Sequence, residues 1–155
     1  MTMAARLQSC LAQHQSRYEV LWHTPSHTSR ESARRAGIPP ERMAKPVILN
    51  DTQGHRLMAV LPASRQLNLD KLRQSTRRNW RLAHESEFGN SFADCATGAI
   101  PAVGSAFGME TLIDASLATG RDIYFEAGDH EGIVHMTTEQ YLKLMPDAQQ
   151  AAISE

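Results

Sequence analysis

The chain has 155 residues, 41% hydrophobic and 21% charged, as in an ordinary globular protein, and its length supplies a core that needs no disulfide or metal staple. No apolar run approaches a membrane span, and the N-terminus lacks the basic start, apolar stretch and cleavage site of a secretory signal. A single cytoplasmic domain over residues 1–155, without a membrane partner, is therefore expected. Cys10 and Cys95 form no Cys-x-x-Cys pair, which argues against a structural zinc site, and the expected compartment argues against a disulfide.

The net charge of −1 hides an asymmetry: residues 1–104 hold 14 Lys and Arg against 8 Asp and Glu, and residues 105–155 hold 2 against 9. The basic side chains crowd into Arg30, Arg34, Arg35, Arg42, Lys45, Arg65, Lys71, Arg73, Arg77, Arg78 and Arg81. Such a cluster either attracts phosphates or simply solvates helix faces.

In chain order, Leu7 and Leu11 sit four apart, which predicts an amphipathic helix over residues 3–16. Tyr18–Leu21 reads as a short strand. Thr28-Ser29-Arg30-Glu31 has the form of a capping box, and the helix it opens ends at Gly37, before Pro39-Pro40. Residues 45–49 and 56–61 read as an antiparallel hairpin turned by Asp51-Thr52-Gln53-Gly54. Asn68 caps a short helix to about Gln74. Residues 111–114, 122–125 and 132–136 are further strands. A second capping box, Thr137-Thr138-Glu139-Gln140, opens a last helix that closes near Pro146, and the remaining residues read as a frayed tail. Interspersed elements with short strand links predict an α+β fold: a mixed, mainly antiparallel sheet surrounded by helices.

Three stretches can carry chemistry. Lys45 stands at the entry of an otherwise buried strand, where it projects into a cleft toward a phosphate or carbonyl, or snorkels outward. The run Asp94-Cys95-Ala96-Thr97-Gly98-Ala99-Ile100-Pro101-Ala102-Val103-Gly104 can expose consecutive backbone N–H groups as an oxyanion hole, or form a plain turn. In Ala127-Gly128-Asp129-His130, His130 is placed to orient a substrate or relay a proton, and His23 to line the same cleft. Each histidine also fits a surface or satisfied core position. No nucleotide-binding glycine fingerprint, Gly-x-Ser-x-Gly elbow or His-Glu-x-x-His is present, and nothing beside Cys95 marks an activated thiolate.

The order of the blocks is more specific than any one of them. His-Thr-Pro-Ser-x-Thr-x-x-Glu-Ser-Ala, Ala-Lys-Pro-Val-Ile-Leu, Val-Leu-Pro-Ala-Ser, Asp-Cys-x-x-Gly-Ala-Ile-Pro and Phe-x-Ala-Gly-x-His follow one another over residues 18–145. The series resembles the YbaK family, which includes the editing domain inserted in bacterial prolyl-tRNA synthetases and its free-standing relatives. The resemblance implies a curved, mainly antiparallel sheet. It also implies hydrolysis of the ester between a small amino acid and the end of a mischarged tRNA, such as Ala-tRNA(Pro). Lys45 matches the family's site lysine, Gly98 the glycine whose backbone faces the aminoacyl carbonyl, and His130 a site position. The backbone of Gly98 and Ala99 would hold the oxyanion. His23, Thr28, Ile100 and Pro101 would line the substrate cleft. Ala102 departs from the family's usual Gly-x-x-x-Pro, which bears on pocket shape.

An activated ester requires no metal, cofactor or covalent nucleophile. The expected partners are the acceptor end of an aminoacylated tRNA and a synthetase. The competing classes are a non-catalytic nucleic-acid-binding module and a protein that docks on a synthetase without chemistry of its own.

Overall fold

Apolar residues on both sides of one strand organise the molecule. Along Arg56–Pro62 (β3), Met58 and Val60 point into one cluster, and Leu57, Ala59 and Leu61 into another. This is the two-residue period of a strand buried on both faces. The computed structural model describes residues 3–24, 26 and 28–155. Pro25 and His27 of the first matched block lie outside them.

The strands are Glu19–Trp22 (β1), Met43–Asn50 (β2), Arg56–Pro62 (β3), Arg81–Leu82 (β4), Glu110–Asp114 (β5), Asp122–Glu126 (β6), Gly132–Thr137 (β7) and Gln149–Ala151 (β8). They form one sheet in the order β1-β7-β6-β2-β3-β5-β8, with β4 on β2. The pairs β1–β7, β2–β3, β2–β4 and β6–β7 are antiparallel, and β2–β6, β3–β5 and β5–β8 are parallel. The mixed α+β architecture expected from the sequence is the one observed. The helices are Ala5–Gln13 (α1), Ser29–Ala36 (α2), Leu69–Thr76 (α3), Glu85–Phe88 (α4), Ala115–Ala118 (α5) and Thr138–Lys143 (α6).

On one face, Leu7 and Leu11 of α1 and Tyr141 of α6 pack with Ile48, Val60, Ile113, Phe125 and Val134. On the other, α3 contributes Leu72, which packs with Leu49, Leu61, Trp80 and Leu112. A third cluster seats α2, through Ala33, against Met43, Ala63 and Ile133. No described helix is long and apolar enough to cross a membrane.

Among the described residues, each predicted capping box shows only its threonine half. Thr28 Oγ1 accepts from Glu31 N at 3.1 Å, but the Glu31 carboxylate turns to Arg35, one turn on, at 2.7 Å. Thr137 Oγ1 accepts from Gln140 N, while Gln140 Oε1 takes the Arg17 N–H instead. The tail is not frayed: Gln149–Ala151 pairs with β5, Ile153 is fully buried, and Ile153 N donates to Asp114 Oδ1 at 2.9 Å. A single apolar residue among small and polar ones leaves too little pattern for local sequence to mark such a strand. Short β4, α4 and α5 were likewise not anticipated, being two to four residues long.

One feature of β2 determines where a cleft can open. The strand pairs with β3 along its whole length. On its other edge it meets β6 only at Met43 and Ala44, and β4 only at Leu49 and Asn50. Lys45, Pro46 and Val47 thus face a split in the sheet. Pro46, which has no N–H to donate, is suited to such an unpaired stretch.

Candidate functional site

The split holds a cavity of about 560 Å³. Its walls come from four segments far apart in sequence: the start of α2 (Thr28, Ser29, Arg30), β2 (Lys45, Pro46, Ile48), the turn after β3 (Ala63–Gln66), and the loop Thr97, Gly98 and Ile100. Glu85 and Phe88 of α4 complete it. Lys45 and Gly98, ranked first from sequence, are brought together here with Thr28 and Ile100.

Lys45 is half-buried, and its ammonium has no hydrogen-bond or ion-pair partner among the described residues. Burial lowers its pKa, and the charge of Arg30 lowers it further, because both disfavour a second cation in a poorly solvated place. Arg65 adds a third positive charge to the lining, against the single carboxylate of Glu85.

The fold sorts the basic cluster. Arg78 pairs with Asp51 and Glu110, Arg81 with Glu87, and Arg35 with Glu31. Arg42 donates to the carbonyls of Asp122, Ser116 and Leu117, Arg73 to that of Trp80, and Lys71 to that of Ser154. These six are structural. Arg30, Arg34, Lys45 and Arg65 have no such partner among the described residues, and all four line the cleft or the cavity beside it, whereas Arg77, also without one, lines neither. Sequence clustering could not separate the two groups, because the carboxylates and carbonyls that occupy the first lie far along the chain.

The Gly98 loop is held from behind. Gly98 has φ 79°, a left-handed conformation that costs other residues roughly 1–2 kcal/mol. Ala96 N donates to Gly128 O at 2.7 Å, and Nε2–H of His130 donates to Thr97 O. Gly128, at φ 120°, leaves no room for a side chain: a Cβ there would lie 2.8 Å from that of Ala4. Arg6 binds Asp94 at 2.7 Å and holds its carboxyl down at about 2. Pro101 and Ala102 are buried, and Tyr141 Oη donates to Ala102 O. Cys95 is half-buried beside Asp94, and desolvation first and the Asp94 charge second push its thiol up to about 12, the opposite of an activated nucleophile.

Four expected site residues therefore sit differently from the sequence expectation. Ala99 is fully buried and its N–H is committed to Ala96 O at 3.0 Å, so it is not an open oxyanion donor. The N–H of Gly98, which lines the cleft, has no partner among the described residues. His130 lies behind the loop and braces it. His23 does not line the cleft: its backbone N–H donates to Glu131 O, and its Nδ1–H to Thr24 O at 2.6 Å. Pro101 is buried under the loop. Arg30, Arg65, Gln66, Glu85 and Phe88 were not assigned to the site. Their only sequence signal was the basic cluster, for the two arginines, and the neighbouring Val-Leu-Pro-Ala-Ser block, for Gln66.

As a brace, His130 is testable. His130→Ala removes the bond to Thr97 O, worth about 1 kcal/mol, so amide exchange at Ala96 and Ala99, whose N–H groups are bonded to Gly128 O and Ala96 O, should quicken while the sheet amides stay protected. Unchanged exchange in the loop would show that the contact does not hold it.

The aminoacyl-tRNA editing domain family matches residues 23–144. Among solved structures, the hypothetical protein APE2540 is similar over 97% of this chain and 99% of its own, with 19% identity and a TM-score of 0.85. A protein described as a candidate trans-editing enzyme for prolyl-tRNA synthetase aligns over 98% and 96%, with 20% identity and a TM-score of 0.80. A protein of Marinobacter aquaeolei VT8, described as a candidate for signal transduction, aligns over 99% of this chain but 31% of its own, with 20% identity and a TM-score of 0.78. At such identities these likenesses concern the fold alone. No curated protein matches the chain. The matched span contains every segment of the cleft, and the chain belongs to the aminoacyl-tRNA editing domain family.

Proposed function

We propose that this chain is a cytoplasmic trans-editing deacylase that hydrolyses the ester between a small amino acid and the terminal ribose of a mischarged tRNA. One observation carries the reading: a half-buried Lys45 shares a cleft with the left-handed Gly98 turn, beside Arg30 and Arg65, all three cations without an ion-pair partner among the described residues.

Water adds to the aminoacyl carbonyl carbon. The carbonyl electrons move onto oxygen, and collapse of the tetrahedral species breaks the bond to the ribose oxygen. That oxygen leaves as a hydroxyl once protonated, so the products are the free amino acid and uncharged tRNA. The Gly98 N–H stabilises the oxyanion, and Lys45 holds the terminal phosphate or the carbonyl oxygen. A neighbouring ribose hydroxyl helps to activate water. His130 acts only by fixing the loop. Rejection of larger amino acids falls to the walls formed by Ile48, Phe88 and Ile100.

The tested substrates are tRNAs charged with Ala, Ser, Cys and Pro. The likeness to a protein described as acting for prolyl-tRNA synthetase puts Ala-tRNA(Pro) first, and that synthetase is the partner to test. Ester loss is expected to be fastest for one small non-cognate amino acid and slow for Pro-tRNA(Pro). No acceleration over buffer with any of them would overturn the reading.

A further inference from the structure

A second cavity, of about 610 Å³, lies beside the cleft and shares Thr28 and Arg30 with it. Pro40 and the edge of Ile38 give it an apolar wall, with Ala33 beneath, and Arg34 stands one helical turn beyond Arg30. Ala33 and Ile38 are largely or wholly buried, while both arginines are exposed and lack a carboxylate partner among the described residues. Glu31, also in the lining, has its charge offset by Arg35 at 2.7 Å.

Residues four apart on a helix lie about 6 Å from each other, so the two guanidiniums form a short cationic track leading away from the cleft. An apolar wall beneath two cations suits a nucleotide, whose base is flat and weakly solvated and whose phosphate takes a guanidinium fork. A second carboxylate ligand would satisfy the cations but leave the apolar wall uncovered.

We infer that this cavity takes the penultimate nucleotide of the single-stranded 3′ end. Its base lies against Pro40 and the exposed edge of Ile38, the phosphate joining it to the last nucleotide meets Arg30, and its own 5′ phosphate meets Arg34. The inference rests on the proposed function for the identity of the RNA, but binding tests it without hydrolysis.

The probes are adenosine 5′-monophosphate and the uncharged dinucleotide pCpA, titrated into the whole protein and into Arg34→Gln. In the wild type pCpA should bind about tenfold more tightly, as expected for one added charge-assisted phosphate contact. In Arg34→Gln that advantage should shrink several-fold, to what the base contact alone supplies, and the salt dependence of pCpA binding should fall by a slope of about 0.7. Arg34 is exposed on α2, so the variant should fold, which a thermal melt checks. Equal binding of the two probes by the wild type would limit the site to a mononucleotide and overturn the inference. An advantage undiminished in Arg34→Gln would also overturn it. If the advantage behaves as expected while no ester is hydrolysed, the deacylase reading fails and the nucleotide track stands.

Discussion

Lys45→Ala is expected to lower kcat/KM for the edited aminoacyl-tRNA by about 10²–10³, the usual loss when one charge-stabilising group is removed from a site. The side chain carries no hydrogen bond or ion pair within the described protein, so the fold should survive and the melting temperature should change little. Burial and Arg30 both depress the lysine pKa. The charged form is therefore lost at a pH below the ordinary lysine range, and the alkaline limb of the kcat/KM profile should begin there. Arg30→Gln removes the second cause and should move that limb toward higher pH. Lys45→Arg keeps the charge, but a guanidinium is broader and cannot reproduce a compact ammonium, so partial rescue is expected. Full activity in Lys45→Ala would sink the site assignment.

The largest expected effect on stability belongs to Glu126. It is 1% exposed at the end of β6, on the side where α2 packs. Neither carboxyl oxygen has a well-formed hydrogen bond among the described residues. Burial raises its pKa to about 7, the nearby Ser32 hydroxyl opposes the rise, and the charge of Asp129 adds to it. A carboxyl whose folded pKa exceeds its unfolded value binds more protons in the folded state between the two. Stability therefore falls as pH rises from about 4.5 to about 7, and levels off above. The shift corresponds to roughly 3 kcal/mol.

Glu126→Gln should remove this slope and make the protein more stable than the wild type at pH 8, read from denaturant midpoints across pH 4.5–8. His135 contributes in the same direction. Burial works against its protonation, but the carboxylates of Glu19 and Asp122 outweigh that and raise its pKa. Its stabilisation is complete at low pH and is lost as pH rises through its folded pKa. The difference between wild type and Glu126→Gln cancels the His135 part. Parallel pH profiles for the two proteins would show that Glu126 is already ionised or solvated.

Much of this molecule was legible from local pattern. Alternation marked β3, the Thr28 and Thr137 caps marked two helix starts, and the order of five blocks marked the family. Lys45 and Gly98 stood out because a lysine entering a buried strand and a glycine in a proline-bearing loop are each locally unusual. Local pattern failed where function depended on partners distant in sequence. Arg78 and Arg30 look alike along the chain, yet one is consumed by Asp51 and Glu110 and the other lines the cleft with no such partner among the described residues. Ala99 looks as good a donor as Gly98 until the turn closes its N–H onto Ala96. His130 looks catalytic until the fold sets it behind Thr97.

The sequence by itself determined the longer elements, the family and two residues that line the cleft, because those follow from short-range sterics, periodicity and motif order. Only the tertiary structure decided which cations and which backbone N–H lack a partner among the described residues, and that His130 reaches Thr97 O. Hydrogen bonds and ion pairs saturate, and the group that saturates each one here arrives from another part of the chain.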